Sequence, residues 1–351
     1  YINLDLKKMI SFLIKLAEKK LIPDFLIRQG IRILLKKRIQ SLVSDNPEDN
    51  IQDKITFIKK MNLSPIAVVP ELANEQHYEI PAEFYNYCLG KHKKYSSCYW
   101  SEKTKNLDGA ELSSLKLSSN HAKLSNGLNI LELGCGWGSL TLYMAKQYPK
   151  STITAVSNSS SQRLYILDQA KKRKLKNISV ITEDINIFNP KATYDRIVSV
   201  EMIEHMRNHK KLFKKISSWL KPDGLFFMHI FVHKSQPYLF EVQENDDWMS
   251  QYFFSGGMMP SEDLPLFFQE NIKIIDQWSW SGVHYEMTAN AWLKNIDTNK
   301  NKVMKVLSNI YGEDDSKKWF QRWRIFFMSC AELWGYKDGS EWKVVHYLFK
   351  K

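Results

Sequence analysis

The segment NILELGCGWGSLTLYMAKQYP, residues 129 to 149, constrains the chain most, because an apolar run, a glycine turn and a helix start follow one another without a break. Ile130, Leu131 and Leu133 form the short apolar run expected of a buried parallel strand. Gly134, Gly136 and Gly138 then supply turn positions where a side chain would block a ligand. Leu140, Leu142, Tyr143 and Ala145 continue at helical spacing. Strand, turn and helix together make a cofactor seat. A dinucleotide fingerprint would need its third glycine at position 139, which is Ser139 here. The alternating glycines favour S-adenosyl-L-methionine over NAD, since this cofactor brings no pyrophosphate for a helix N-terminus to neutralise.

Further strands are expected at STITAVSNS, NISVITEDI, YDRIVSVEMIEH and GLFFMHIF, the last after the helix KKLFKKISSWL. Alternating strands and helices through residues 121–233 predict an α/β fold with a parallel sheet covered on both faces. Residues 1–70 read as a helical extension broken at LIPDF and SDNPED, and 71–351 as the catalytic domain, with its cofactor core at 121–233. Residues 234–335 read as an aromatic cover that includes a helix at KKWFQRWRIFFMSCAELWGY, and KVVHYLFK as a final strand.

Fifty Lys and Arg against 38 Asp and Glu leave a net charge of +12, which attracts anionic partners. Much of the excess interleaves with Ile, Leu and Phe in residues 1–60, an amphipathic helical pattern and not a nucleic-acid module. No nucleic-acid partner is expected. These basic helices leave peripheral membrane contact and a homodimer open, although packing on the rest of the protein is the commoner fate of such a stripe. No apolar run approaches the roughly 20 residues that span a bilayer, and no signal-peptide core is seen. Cys88, Cys98, Cys135 and Cys330 lack metal-ligand spacing, so no metal site is expected and a reduced, cytoplasmic setting is.

In such a sheet ligands sit past the strand ends. The segment AVSNSSSQR offers no carboxylate for a ribose, but Asn158 or Gln162 can bond it neutrally. Asp184 suits an adenine amino group, or equally a turn or helix cap. The fourth strand ends in Glu201, Met202, Ile203, Glu204 and His205. Two carboxylates and an imidazole there suit methyl transfer to an amine, which needs a free lone pair and a proton acceptor; a solvated, capped helix start is the plainer explanation. Aromatic residues of the cover, Phe254, Tyr285, Trp323 and Phe327 among them, either stack on a flat amine or fill a core.

The stretches NEQHYEIPAEFYNYCLGKHKKYSSCYW, LELGCGWGSLTLYMA, YDRIVSVEMIEHM and DDWMSQYFFSGGMMPS resemble the cyclopropane-fatty-acid-synthase-like methyltransferases, and within them the coclaurine N-methyltransferase branch. The resemblance implies a Rossmann-like class I fold with a mostly parallel seven-stranded sheet and S-adenosyl-L-methionine as cofactor. It assigns Tyr95, Ser96, Gly134, Gly136, Asn158, Gln162, Asp184 and Ile185 to that cofactor. It implies that Glu201, Glu204 and His205 bind and deprotonate a small-molecule amine in a pocket bounded by Tyr78, Glu79, Trp323 and Phe327. In the cyclopropane branch it implies instead a bicarbonate held at Glu204, His229 and Tyr285, with a cysteine where this chain has Ser97; Cys98 falls one position late, which on an extended segment points it elsewhere. N-methylation of an aromatic or hydrophobic amine is therefore expected, with cyclopropane-type modification of phospholipid acyl chains as the alternative.

Overall fold

The computed structural model describes residues 2–68, 80–240, 248–254 and 256–351, with backbone only for residues 2–8. Five strands, β1 (Asn129–Leu133), β2 (Thr152–Ser157), β3 (Ile178–Thr182), β4 (Tyr194–Val200) and β5 (Leu220–His233), lie parallel. A two-residue ladder, β6 (Tyr238–Leu239) with β7 (Met258–Met259), follows. Then β8 (Lys273–Trp280) and β9 (Trp342–Lys350) add antiparallel strands, β9 entering between β5 and β8. The main sheet has the order β3-β2-β1-β4-β5-β9-β8. From β1 the chain winds to one edge and then returns to start β4 on the other side, so the order reverses between β1 and β4 and opens a crevice past their carboxyl ends.

Local chemistry sets the elements. Asn46 accepts from Glu48 N–H, with Pro47 opening the helix Pro47–Leu63, and Asn208 accepts from Lys211 N–H at the start of the amphipathic helix His209–Trp219. That helix buries Leu212, Phe213 and Ile216 against Phe226 and Phe349 of the sheet. β1 and β4 are buried on both faces, as near-continuous apolar strands of a covered parallel sheet must be.

The helices Ile2–Glu18 and Asp24–Leu42 pack against the helical stretch Lys300–Gly335, which breaks at Gly312 (φ 79°). Ion pairs pin this contact: Glu18 with Arg322 at 2.8 Å, Arg28 with Glu332 at 2.7 Å, and Arg324 with both Asp24 and Asp297. Phe12, Phe25 and Ile33 on these helices, and Leu21 in the break between them, are exposed. No helix among the described residues is long and apolar enough to cross a membrane.

The sequence reading did not place β8 or the helix that follows it. β8 has an alternating pattern in which Ile274, Asp276, Trp278 and Trp280 turn inward, and the helix Val283–Thr298 follows it, carrying Tyr285.

Candidate active site

The glycine turn hangs from β2: the N–H groups of Gly134 and Cys135 both donate to Val156 O, at 3.0 and 3.1 Å. Gly134 has φ +77°, and a Cβ there would come within 2.4 Å of the Met202 side chain. Gly136, at φ +49°, faces open space with nothing within 4 Å of where a Cβ would sit. One glycine is thus required by close packing and the other by backbone conformation beside a cavity.

Two adjoining chambers of about 90 and 80 Å³ flank this turn and share Gly134, Gly136 and Glu201. The first is lined by Val156, Asn158, Gln162, Asp184, Ile185 and His205. The second is lined by Lys94, Tyr95, Ser96, Trp137 and Ser139. A larger cleft of about 950 Å³ lies between the helices Ile2–Glu18 and Lys300–Gly335, away from the strand ends.

Every proposed cofactor residue meets these chambers. Gln162 is buried, its Oε1 accepts from Ser157 Oγ at 2.6 Å, and its Nε2 has no partner among the described residues. Trp137 Nε1 is likewise buried without a partner. Unsatisfied buried donors facing a cavity are what a polar ligand would complete. Asp184 lines the first chamber, and its Oδ1 accepts from Asn186 N–H at 2.9 Å in a local turn.

Tyr95 and Ser96 are held by an anchor the sequence reading missed. Glu111, fully buried on the helix Leu107–His121, accepts the N–H groups of Gly90 (2.9 Å), His92 (2.6 Å) and Lys94 (3.2 Å). Three N–H donors on one carboxylate stitch residues 90–94 into a fixed curve. Lys94, itself buried, then donates from Nζ to Ser96 Oγ and Ser97 O, each at 2.6 Å.

Glu201 follows β4 in the left-handed region, φ +46°. A non-glycine residue there costs of order 1–3 kcal/mol and persists only where its surroundings fix it. Here four groups do so: Ser97 N–H donates to Oε1 at 2.9 Å, His229 Nε2 lies 3.1 Å from Oε1, Tyr285 O–H donates to Oε2 at 2.8 Å, and the charge of Lys94 is close by. Burial raises the Glu201 carboxyl above its ordinary range while the charge of Lys94, the Ser97 N–H and the Tyr285 hydroxyl oppose the rise.

Glu204, in the short 3₁₀ turn Ile203–His205, contrasts with it. Its side chain is completely buried, so the solvated helix start is overturned. Oε1 accepts from Phe231 N–H at 2.7 Å, and Oε2 has no partner among the described residues. Burial first, and then the neighbouring charge of Glu201, push its carboxyl well above the ordinary range. With so many more donors on Glu201, that residue is the first of the pair to ionise and Glu204 the one that keeps its proton longer. His205 stacks on Phe254, ring centroids 4.8 Å apart, and burial lowers it to about 4, so its ring is neutral.

The aromatic residues divide. Phe254 reaches the site through His205, and Tyr285 through Glu201 while stacking on Trp334. Trp323 and Phe327 are fully buried in an aromatic core with Phe84, Phe253 and Trp292, and neither lines the two chambers. Tyr78 and Glu79 lie outside the described residues. Ser97 joins the site by its backbone, whereas Cys98 turns its thiol toward Ser96 O, and burial raises that thiol.

Known proteins resemble this chain in sequence and fold. The chain is 37% identical over 349 residues to the (S)-coclaurine N-methyltransferase of Thalictrum flavum subsp. glaucum, covering 98% of this chain and 97% of that one. The family model described as mycolic acid cyclopropane synthetase matches residues 70–340. The chain belongs to the coclaurine N-methyltransferase-like branch of the mycolic acid cyclopropane synthetase family. A crystal structure of coclaurine N-methyltransferase bound to N-methylheliamine and SAH superposes with a TM-score of 0.94 at 36% identity, covering 98% of this chain and all of that one. The cyclopropane-fatty-acyl-phospholipid synthase of Escherichia coli K12 is more distant, at 26% identity over 276 residues, 78% of this chain and 67% of that one. This family member is an S-adenosyl-L-methionine-dependent methyltransferase with the Rossmann-like fold, and its similarity to N-methyltransferases supports N-methylation of a small molecule.

Proposed function

We propose that the enzyme methylates the nitrogen of a small aromatic or hydrophobic amine, with Glu204 and His205 positioning and deprotonating it. The observation that carries this is the inequality of the two carboxylates: Glu201 is saturated with donors, and Glu204 keeps a buried, unpartnered Oε2. S-adenosyl-L-methionine supplies an electrophilic methyl carbon when bound, and the residues fit it, since Gln162 Nε2 and Trp137 Nε1 lack partners beside an open glycine turn.

Glu201, the first of the pair to ionise, favours a cation beside it. An amine entering as its ammonium lowers the proton affinity of Glu204 by the same Coulomb attraction. Once its own proton has left to solvent, the Glu204 carboxylate accepts the N–H proton at Oε2, and the amine keeps the lone pair that bonds to the methyl carbon. The neutral ring of His205, braced on Phe254, offers a lone pair to orient a remaining N–H.

A cyclopropane-type reaction fits less well. Its bicarbonate would need His229 and Tyr285, and here both bond Glu201, a carboxylate the chain supplies itself. Cofactor consumption measured over primary, secondary and tertiary amines beside unsaturated phospholipids tests the proposal: turnover on an amine supports it, and turnover only on lipid would overturn it.

A further inference from the structure

Behind Glu201, on the side away from the chambers, the hydrogen-bonded chain does not stop at His229. His229 Nδ1 lies 2.8 Å from His346 Nε2, and His346 Nδ1 lies 2.8 Å from His121 Nδ1. His229 is on β5, His346 faces it on β9, and His121 ends the helix Leu107–His121. The first two rings are fully buried, packed against Trp280 and Phe227, and the third is half-exposed and stacked on Trp278 of β8 at 3.9 Å. Three imidazoles therefore connect the Glu201 carboxylate to the partly exposed His121 ring beside β8.

We propose that His229, His346 and His121 form a proton relay through which Glu201 exchanges its proton with solvent, ionising when a cation occupies the site and becoming neutral when none does. The relay depends on the reading of Glu201 as the carboxylate of a cation site, but it is testable without turnover.

The bookkeeping closes with one proton. A neutral imidazole has one N–H and one lone pair, so each ring donates to one neighbour and accepts from the other. With Glu201 ionised, His229 Nε2–H points at the carboxylate, His346 Nε2–H at His229, and His121 Nδ1–H at His346. A solvent proton bonding to His121 Nε2 releases its Nδ1 proton to His346 Nδ1. The His346 Nε2 proton then passes to His229 Nδ1, and the His229 Nε2 proton to Glu201. Glu201 is now neutral, every ring has changed tautomer, and every hydrogen bond is retained. Reversal expels one proton from His121 Nε2 to solvent. No ring has to rotate, which matters for two rings sealed in a core.

The surroundings suit neutral rings. Burial, together with the positive charge of Lys94, lowers both His229 and His346 well below the ordinary histidine range. Glu201 is faced by Lys94, Glu204, His205, Tyr285 and Cys330, and His121 by Asp276, itself paired with Lys123 at 3.2 Å.

The test is imidazole nitrogen NMR of the full-length, histidine-labelled protein over about pH 5 to 9, a span that brackets a raised carboxyl. The expected result is a concerted exchange of protonated and unprotonated nitrogens in all three rings at one midpoint, lost in Glu201→Gln. His121→Phe keeps the stack on Trp278 while removing the outlet, and is expected to slow that exchange at least tenfold. Rings that hold fixed tautomers across the range, or an exchange unaffected by His121→Phe, would overturn the relay. Failure to methylate amines would instead count against the proposed reaction alone.

Discussion

At the scale of single residues, the two glutamates are separated by their partners more than by their burial. Replacing Glu204 by Gln removes the proton acceptor and nothing that holds the cofactor. We expect kcat/KM for an active amine to fall on the order of 10²-fold or more, with equilibrium cofactor binding unchanged. Because the Glu204 carboxyl is raised and must be ionised to act, the rate should climb with pH through its titration, and that limb should vanish in Glu204→Gln. Tyr285→Phe takes one donor from Glu201. A hydrogen bond to a charged group is worth about 1.5–3 kcal/mol, so the Glu201 titration should move up by roughly one to two pH units. An unchanged midpoint by NMR would show that the phenol does not govern that charge. None of this inequality was legible in EMIEH, where the two glutamates look alike, because the donors to Glu201 stand 28, 84 and 104 residues away along the chain.

At the scale of elements, the strand-turn-helix unit was readable because its signals are local: apolar β1, three glycines and the periodic helix Ser139–Gln147. Gly134→Ala would drive a methyl into Met202 at a positive φ, costing roughly 1–3 kcal/mol and weakening cofactor binding, which calorimetry with SAH measures. β8 was missed because its inward set mixes Asp276 with Ile274 and tryptophans while Ile275 faces out, blurring the period of two. Glu111 was missed for another reason. On a helix a glutamate reads as surface, and nothing nearby announces that residues 90–94 will fold over it. Glu111→Ala should leave three backbone N–H groups without their acceptor, costing about 1–3 kcal/mol per group left buried and unpaired and loosening Tyr95 and Ser96. A cofactor affinity equal to that of the unmodified protein would show that this anchor is dispensable.

At the scale of the whole molecule, buried titratable groups set opposing pH trends. His205, His209 and His233 are held at about 4 against an ordinary 6.5. Their folded forms bind fewer protons than the unfolded chain, so stability falls as pH drops from 6.5 toward 4. Glu132 and Glu111 are raised from 4.5 to about 8 and about 7. Their folded forms bind more protons, so stability falls as pH rises from 4.5 through those values. Above pH 6.5 only the second trend remains, and denaturant unfolding should show stability declining toward pH 8. Glu132→Gln, which mimics the protonated acid, should recover roughly 2–4 kcal/mol at pH 8 and little at pH 5. β9 follows β8 by about 60 residues, fills the gap between β5 and β8 and also carries His346. During synthesis β5 and β8 therefore emerge with facing edges unpaired, and Asp24–Leu42 waits for partners about 300 residues downstream. The nascent protein holds an open sheet until residues 342–350 leave the ribosome, so a chain cut just before Trp342 should be aggregation-prone and not merely a weakened enzyme.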